Sequence, residues 1–362
     1  MAESAIISRH LRALWAIPGT ELGVVGWPAT KRERAFVYWH YWWQAHLIDC
    51  AVDAANRVPT PARRKRVGEL ARSHRIRNMT GWTNNYYDDM AWLAIALERA
   101  ERTQGLTEVR GALLTLENKL YDAWNPAVGG GIPWRIGSDF YNAPANGPGA
   151  IALCRLGRYQ RAQDMADWLD ANLRDPDTGL ILDGVHLPAG TIEPAVYTYC
   201  QGVVLGLETE LAVHTGAPQH VERVHRLLHA VDTHLVTGGV IHGGGGGDGG
   251  LFNGILARYL GVVALMLPGD EREQVEDRQL AAAIVRKSAT AAWSNRLEVE
   301  GEPLFGADWS RPARVPGGSA GAGVFSAGGS VLPSQVPERD LSVQLSGWLL
   351  MEAAYQVSAG GL

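Results

Sequence analysis

A chain of 362 residues that is 46% hydrophobic and 20% charged can bury a large core, which excludes a disordered or fibrous protein. A formal net charge of −5 offers no electrostatic footprint for nucleic acid, and the basic run Arg63-Arg64-Lys65-Arg66 is short enough to be one solvated helix face. Cys50, Cys154 and Cys200 are odd in number and widely spaced in apolar surroundings, so they read as buried free thiols in a reducing compartment, not as a disulfide framework.

At the N-terminus, Met1 to Pro18 carries Glu3, Arg9 and Arg12 and lacks an apolar core with a small-residue cleavage site. It reads as an amphipathic helix over Ser4–Trp15 and not as a signal peptide, so a cytoplasmic location is expected. No run is read as long and apolar enough to span a membrane. The first strong helix is predicted over Lys31–Arg57, rich in rings at Trp39, Tyr41, Trp42 and Trp43, and is stopped by Pro59 and Pro61. A more polar helix over Pro61–Arg77 follows. The alternation then repeats: an apolar helix from Asn85 to about Thr103 precedes an amphipathic one over Thr107–Trp124. The loop Gly129 to Trp134 leads into an apolar helix from about Asn142, backed by Tyr159–Arg174. The next apolar helix, near Tyr197, is backed by Gln219–Val236, and that from Phe252 by Glu276–Leu297. A proline- and glycine-rich insertion at about 303–338 precedes the last, Leu341–Val357.

Aligned on their polar-aromatic openings, the apolar segments recur at roughly 50 to 57 residues, the mark of a repeat architecture. Each unit pairs a helix that can hide all round with one that can hide a single side. The solution is an all-α toroid, an (α/α)6 barrel of six inner and six outer helices filling one domain over 1–362, with Ser4–Trp15 as the twelfth helix against the C-terminal one. In a closed toroid the openings of the inner helices gather round one cavity.

The stretch Asn84-Asn85-Tyr86-Tyr87-Asp88-Asp89-Met90-Ala91-Trp92 sets two adjacent carboxylates among rings at the start of such a helix. Asn84 or Asn85 supplies the expected N-cap, and acidic residues suit a first turn because they complement the helix dipole. Consecutive helical residues point about 100° apart, so one aspartate must face inward and lose solvent, a cost that pairing or use offsets. Two nearby carboxylates in unlike surroundings are the requirement for one ionised nucleophile and one protonated acid. The 13 Trp and 11 Tyr against 5 Phe suit ring faces with hydrogen-bonding edges. Trp39, Trp43, Tyr86, Trp134 and Tyr199 are candidates for stacking on sugars. Asn85, Asn142, Gln201 and Asn253 are candidate hydroxyl binders, and Asp248 and Glu193, each just before an inner helix, are candidates to face the cavity. His225 and His229 have the i,i+4 spacing of a zinc pair but no glutamate motif between them, and no metal or cofactor is expected.

The run Tyr86 to Trp92 looks like the signature of glycoside hydrolase family 76. Gly129 to Trp134, Asn142 to Asn146, Tyr197 to Gly202 and Asn253 to Leu260 resemble its later landmarks, in the same order. The resemblance covers roughly 30–357, with Cys200 standing where an asparagine is expected and Asn253 near an expected basic residue. It implies an (α/α)6 barrel and a retaining endo-α-1,6-mannanase acting on mannan or mannose-containing oligosaccharide or lipoglycan, with Asp88 as nucleophile and Asp89 as general acid/base. Two other readings differ in what they require. A sugar epimerase or unsaturated-uronide hydrolase on the same barrel needs catalytic histidines or differently placed acids at the inner helix starts, and a glycan-binding barrel without activity has no need of both aspartates.

Overall fold

The computed structural model describes every residue except Thr80, 318–328 and Leu362. Thirteen α-helices lie among the described residues. Six form an inner ring: α3 (Tyr41–Arg57), α5 (Tyr87–Gln104), α7 (Ala143–Arg155), α9 (Thr198–Thr215), α11 (Phe252–Met266) and α13 (Leu341–Ala359). Each packs on the next, and α13 packs on α3, so the ring closes. Outside it α4 (Pro61–Arg77), α6 (Arg110–Asp122), α8 (Tyr159–Leu173), α10 (Pro218–Leu235) and α12 (Arg272–Asn295) each lie on the preceding inner helix, and α1 (Ala2–Arg9) lies on α13. This is the expected (α/α)6 arrangement, with α1 as the twelfth member.

Burial follows the two kinds of sequence pattern. On α10 the fully buried Val224, Leu227, Leu228 and Val231 make a single stripe at 3.6-residue spacing, and the exposed residues from Gln219 onward are all polar. On α11 Gly254 to Leu260 is buried almost without interruption except at Arg258, because α9, α13 and α12 cover it on three sides. Such a helix mimics a membrane span. Gly247–Met266 is long and apolar enough to cross a bilayer by length and composition, contrary to the sequence reading, yet most of it is buried inside the barrel. Where α9 meets α11, a Cβ on Gly202 would stand 2.9 Å from the Leu256 Cα, so only glycine lets the two backbones approach this closely.

Four inner helices are tied to the loops before them by one device. The fourth residue of each is an amide, Gln44, Asn146, Gln201 or Gln344, whose side chain accepts from and donates to the backbone of a single residue outside the helix: Gly23, Ile132, Ile181 and Phe305 respectively. The backbone N–H and carbonyl of each of these four residues thereby both find a partner in one side chain.

Two helix boundaries differ from expectation. The helix predicted over Lys31–Arg57 is broken: α2 (Lys31–Arg34), opened by a Thr30–Glu33 capping box, ends before residues 35–40, where Phe36 and His40 hold φ of 54° and 48°. Tertiary contacts outweigh helix propensity there. Phe36 is buried against Leu14, Leu22 and Val24, and Arg77 donates to the Phe36 carbonyl. The N-terminal helix stops at Arg9 and not at Trp15, because β1 (Leu11–Arg12) pairs with β2 (Leu22–Gly23) as a two-stranded ribbon. Of the insertion at about 303–338, residues 318–328 lie outside the described part, and Gly329 to Val331 reach the cavity.

A buried ion network crosses the barrel interior away from the inner helix starts. Arg99 of α5 pairs with Asp49 and Asp53 of α3, Arg258 of α11 pairs with the same two aspartates, and Arg155 of α7 holds Glu210 of α9. Burial alone would raise the Asp49 pKa, but Arg258 and Arg99 bring it down to about 2.

Candidate active site

The N-terminal ends of the inner helices and the loops before them enclose a cavity of about 910 Å³, at the upper end of the roughly 300–1,000 Å³ usual for small-molecule sites. One rim is a small antiparallel sheet of β3 (Phe140–Asn142), β4 (Gly184–His186) and β5 (Thr191–Glu193).

Asp88 and Asp89 occupy the first turn of α5 and face this cavity, half-buried. The cap differs from expectation. Tyr86 is the N-cap residue and makes no side-chain cap bond, and Asn84 is used otherwise: its side-chain Oδ1 accepts from Tyr86 N, and its Nδ2 donates to Asp89 Oδ2 at 2.5 Å. The segment before α5 pairs in an antiparallel sense with 134–136. Tyr87 N donates to the Trp134 carbonyl, and Ile136 N to that of Asn85. That pairing fixes Trp134, whose indole Nε1 donates to Asp88 Oδ2 at 2.9 Å, while Asp89 N donates to Asp88 Oδ1 at 2.8 Å. Upstream, Gly131 makes the turn at φ 79°, with the Trp168 ring filling the space a side chain would need.

Asp88 thus receives two N–H donors and Asp89 one. Burial, offset in part by those donors and reinforced by nearby Asp248, pushes Asp88 up to about 7. Asp89 is raised well above the carboxylate range by burial first and then by its neighbour's charge. Because the donors favour the anion on Asp88, the first proton to leave the pair comes from Asp88.

Two further carboxylates face the same space. Asp248 accepts from the indoles of Trp42 and Trp43, each at 2.9 Å, and from Val331 N at 2.6 Å, and burial raises its pKa despite them. Asp183, just before β4, is pushed up to about 7 by burial and by the charge of Glu193. Among the described residues no lysine or arginine is ion-paired to any of these four aspartates.

Of the residues singled out from sequence, Trp39, Asn85, Tyr86, Trp134, Asn142, Glu193, Tyr199 and Asp248 line the cavity. Asn142 doubles as the N-cap of α7, accepting from Ala145 N, and Tyr199 stacks on Phe252 with centroids 4.0 Å apart. Three do not line it. The Trp43 ring is 1% exposed and reaches the site only through its indole N–H on Asp248. Gln201 is fully buried in its clamp on Ile181, and Asn253 is spent on Thr198 Oγ1 and the Gly243 carbonyl.

Sequence reasoning missed Trp42, Trp92 and Asp183, which do line the cavity. Trp42 carried a usable signal. It is the second residue of α3, as Asp88 is of α5 and Tyr199 of α9, and all three face inward. Two residues further on, a turn of about 200° aims the fourth residue at the preceding loop. Asp183 lies in a loop without helical phase and carried no such signal.

Residues 5–334 match the family described as glycosyl hydrolase family 76. The chain belongs to that family. Among solved structures, the family 76 α-1,6-mannanase GH76A from Salegentibacter sp. HEL1_6 is 26% identical with a TM-score of 0.82, over 98% of this chain and 97% of that one. The same enzyme, in an inactive variant with two consecutive aspartates replaced by asparagine, was solved in complex with α-1,6-mannotriose and matches equally well. The Lin0763 protein of Listeria innocua shares the fold at 24% identity and a TM-score of 0.81, over 99% of this chain and 96% of that one. No curated protein matches the chain. Family 76 membership makes this a glycoside hydrolase, structurally close to α-1,6-mannanases.

Proposed function

We propose that the protein is a retaining endo-α-1,6-mannanase in which Asp88 attacks the anomeric carbon and Asp89 first protonates the leaving oxygen and then activates water. The observation that carries this reading is the unequal support of two adjacent aspartates: the Trp134 indole and the Asp89 amide hold charge on Asp88, while Asp89 keeps its proton beside that charge. The Salegentibacter enzyme, inactive when two consecutive aspartates are replaced, supports the same pair. Endo action is supported by the cavity's volume of about 910 Å³ and by a lining drawn from residues as far apart in the chain as Trp39, His186 and Tyr197, more than a single terminal sugar needs. Rings such as Trp39, Trp42, Trp134 and Tyr199 offer apolar faces for the sugars.

The test is to incubate the protein with linear α-1,6-mannan and size the products over time. A ladder of oligosaccharides appearing before mannose supports the reading. Release of mannose alone sinks the endo assignment, and an untouched polymer sinks the substrate.

A further inference from the structure

On the outer layer, away from the cavity, α10 and α12 bring together three side chains that the sequence keeps far apart. His225 and His229 stand one turn apart on α10, their ring centroids 4.4 Å from each other. Asp277 of α12 sits between them. His225 Nδ1 is 3.1 Å from both carboxylate oxygens, and His229 Nε2 is 3.1 Å from Oδ1. One donor atom from each residue lies within 4.8 Å of the others.

We propose that His225, His229 and Asp277 bind one zinc ion that clips α10 to α12. Tetrahedral zinc with ligands at about 2.0–2.2 Å places neighbouring ligand atoms a little over 3 Å apart, close to the nitrogen–oxygen spacings found here. The burial of the three groups supports the same conclusion. Asp277 is 1% exposed, and its only ion-pair partners among the described residues are these two imidazoles. A carboxylate that deep in the protein is costly unless cations or a metal compensate it. His225 and His229 remain accessible, so the ion has an entry path, and Glu273, one turn before Asp277, stands 3.9 Å from His225 Nδ1 on the open side. Imidazole with carboxylate is a donor set that suits zinc better than calcium or magnesium, which take oxygen ligands. The third ligand is 48 residues from His229, which is why the i,i+4 histidine pair, with no glutamate motif between its members, gave no expectation of a metal in the sequence.

The site is structural. The ion crosslinks two outer helices that back α9 and α11. To test this, the chain is stripped with a chelator, dialysed, and titrated with zinc chloride by calorimetry. The expected result is one zinc per chain with a dissociation constant of about 10 μM or below, and a melting temperature about 3 °C higher at a hundredfold excess over that constant. His225→Ala with His229→Ala, both on the accessible side of the cluster, and separately Asp277→Asn, are each expected to weaken binding at least about 100-fold with the far-ultraviolet spectrum unchanged. Absence of binding by the unmodified chain overturns the proposal. So does a stoichiometric zinc that survives the double histidine variant, since the ion then sits elsewhere.

Discussion

Aspartates in two parts of the barrel interior meet opposite fates. At the mouth, Asp88, Asp89, Asp183 and Asp248 face the cavity with indole, amide and backbone N–H groups for company, and burial raises their pKa values. Deeper among the inner helices, Asp49 and Asp53 are more buried still, yet Arg99 and Arg258 reach both, and Asp49 is pulled down to about 2. Burial is common to both regions and the cations are not. The interior pairs join α3, α5 and α11 into one charge-neutralised unit, whereas the mouth keeps carboxylates that are costly to ionise and therefore able to hold or release a proton near neutral pH.

The largest effect is expected from Asp88→Asn. On the proposed mechanism the change removes the nucleophile, and kcat on linear α-1,6-mannan is expected to fall by at least about 10⁴-fold. The same change is expected to raise the melting temperature at pH 8 by about 1–3 °C. A carboxylate with a folded-state pKa near 7 against about 3.9 unfolded binds more protons when folded, so it costs stability increasingly as pH rises from 4 to 7. Thermal melts of wild type and variant across that range check the sign, and a variant that melts lower at pH 8 breaks the comparison.

Next in size is Arg99→Ala, the converse experiment. It strips one of the two cations shared by Asp49 and Asp53 and is expected to cost about 3–5 kcal/mol, read as the midpoint shift in urea unfolding. Asp49 is depressed in the fold, so its contribution is present above pH 4 and lost as pH falls toward 2. Wild type is therefore expected to lose its advantage over the variant in that window.

A smaller effect is expected from Trp134→Phe, which keeps a ring but removes the N–H held by Asp88. A hydrogen bond to a charged group is worth about 1.5–3 kcal/mol, so kcat falls roughly 10- to 150-fold. Loss of the donor raises the Asp88 pKa, and the rising limb of the kcat/KM profile moves to higher pH. A profile that drops in height without moving would separate Trp134 from the ionisation of Asp88.

The smallest concerns Gln201→Ala. Its loss leaves the backbone of fully buried Ile181 without partners, so about 1–3 kcal/mol of stability goes while KM for mannan holds within about twofold. A large rise in KM with stability intact would return Gln201 to the sugar site.

The fold was legible because its period is long and strict. Apolar and amphipathic helices alternate, and each inner start falls close to its expected place except the first, where buried Phe36 and the Arg77 contact open residues 35–40 against their helical propensity. The place of the aspartate pair at the cavity was legible because adjacent acids at the start of an apolar helix point about 100° apart and cannot both face open solvent. What the sequence concealed is rotation. Gln201, like Tyr199, opens an inner helix, but two residues of phase separate a clamp on a loop from a cavity wall. Trp42 and Trp43 exchange roles in the same way once the helix is seen to begin at Tyr41. Asp183 and Asp277 depend on contacts between distant segments, which no local pattern encodes.

The division of labour between the two mouth aspartates is tested most directly by the first product. Proton NMR of linear α-1,6-mannan in the opening minutes of cleavage reads the configuration of the new reducing end before it mutarotates. Displacement by Asp88 followed by Asp89-assisted water inverts twice, so α-configured mannose ends are predicted. β-Configured ends would contradict a covalent role for Asp88 and make it a base for water instead.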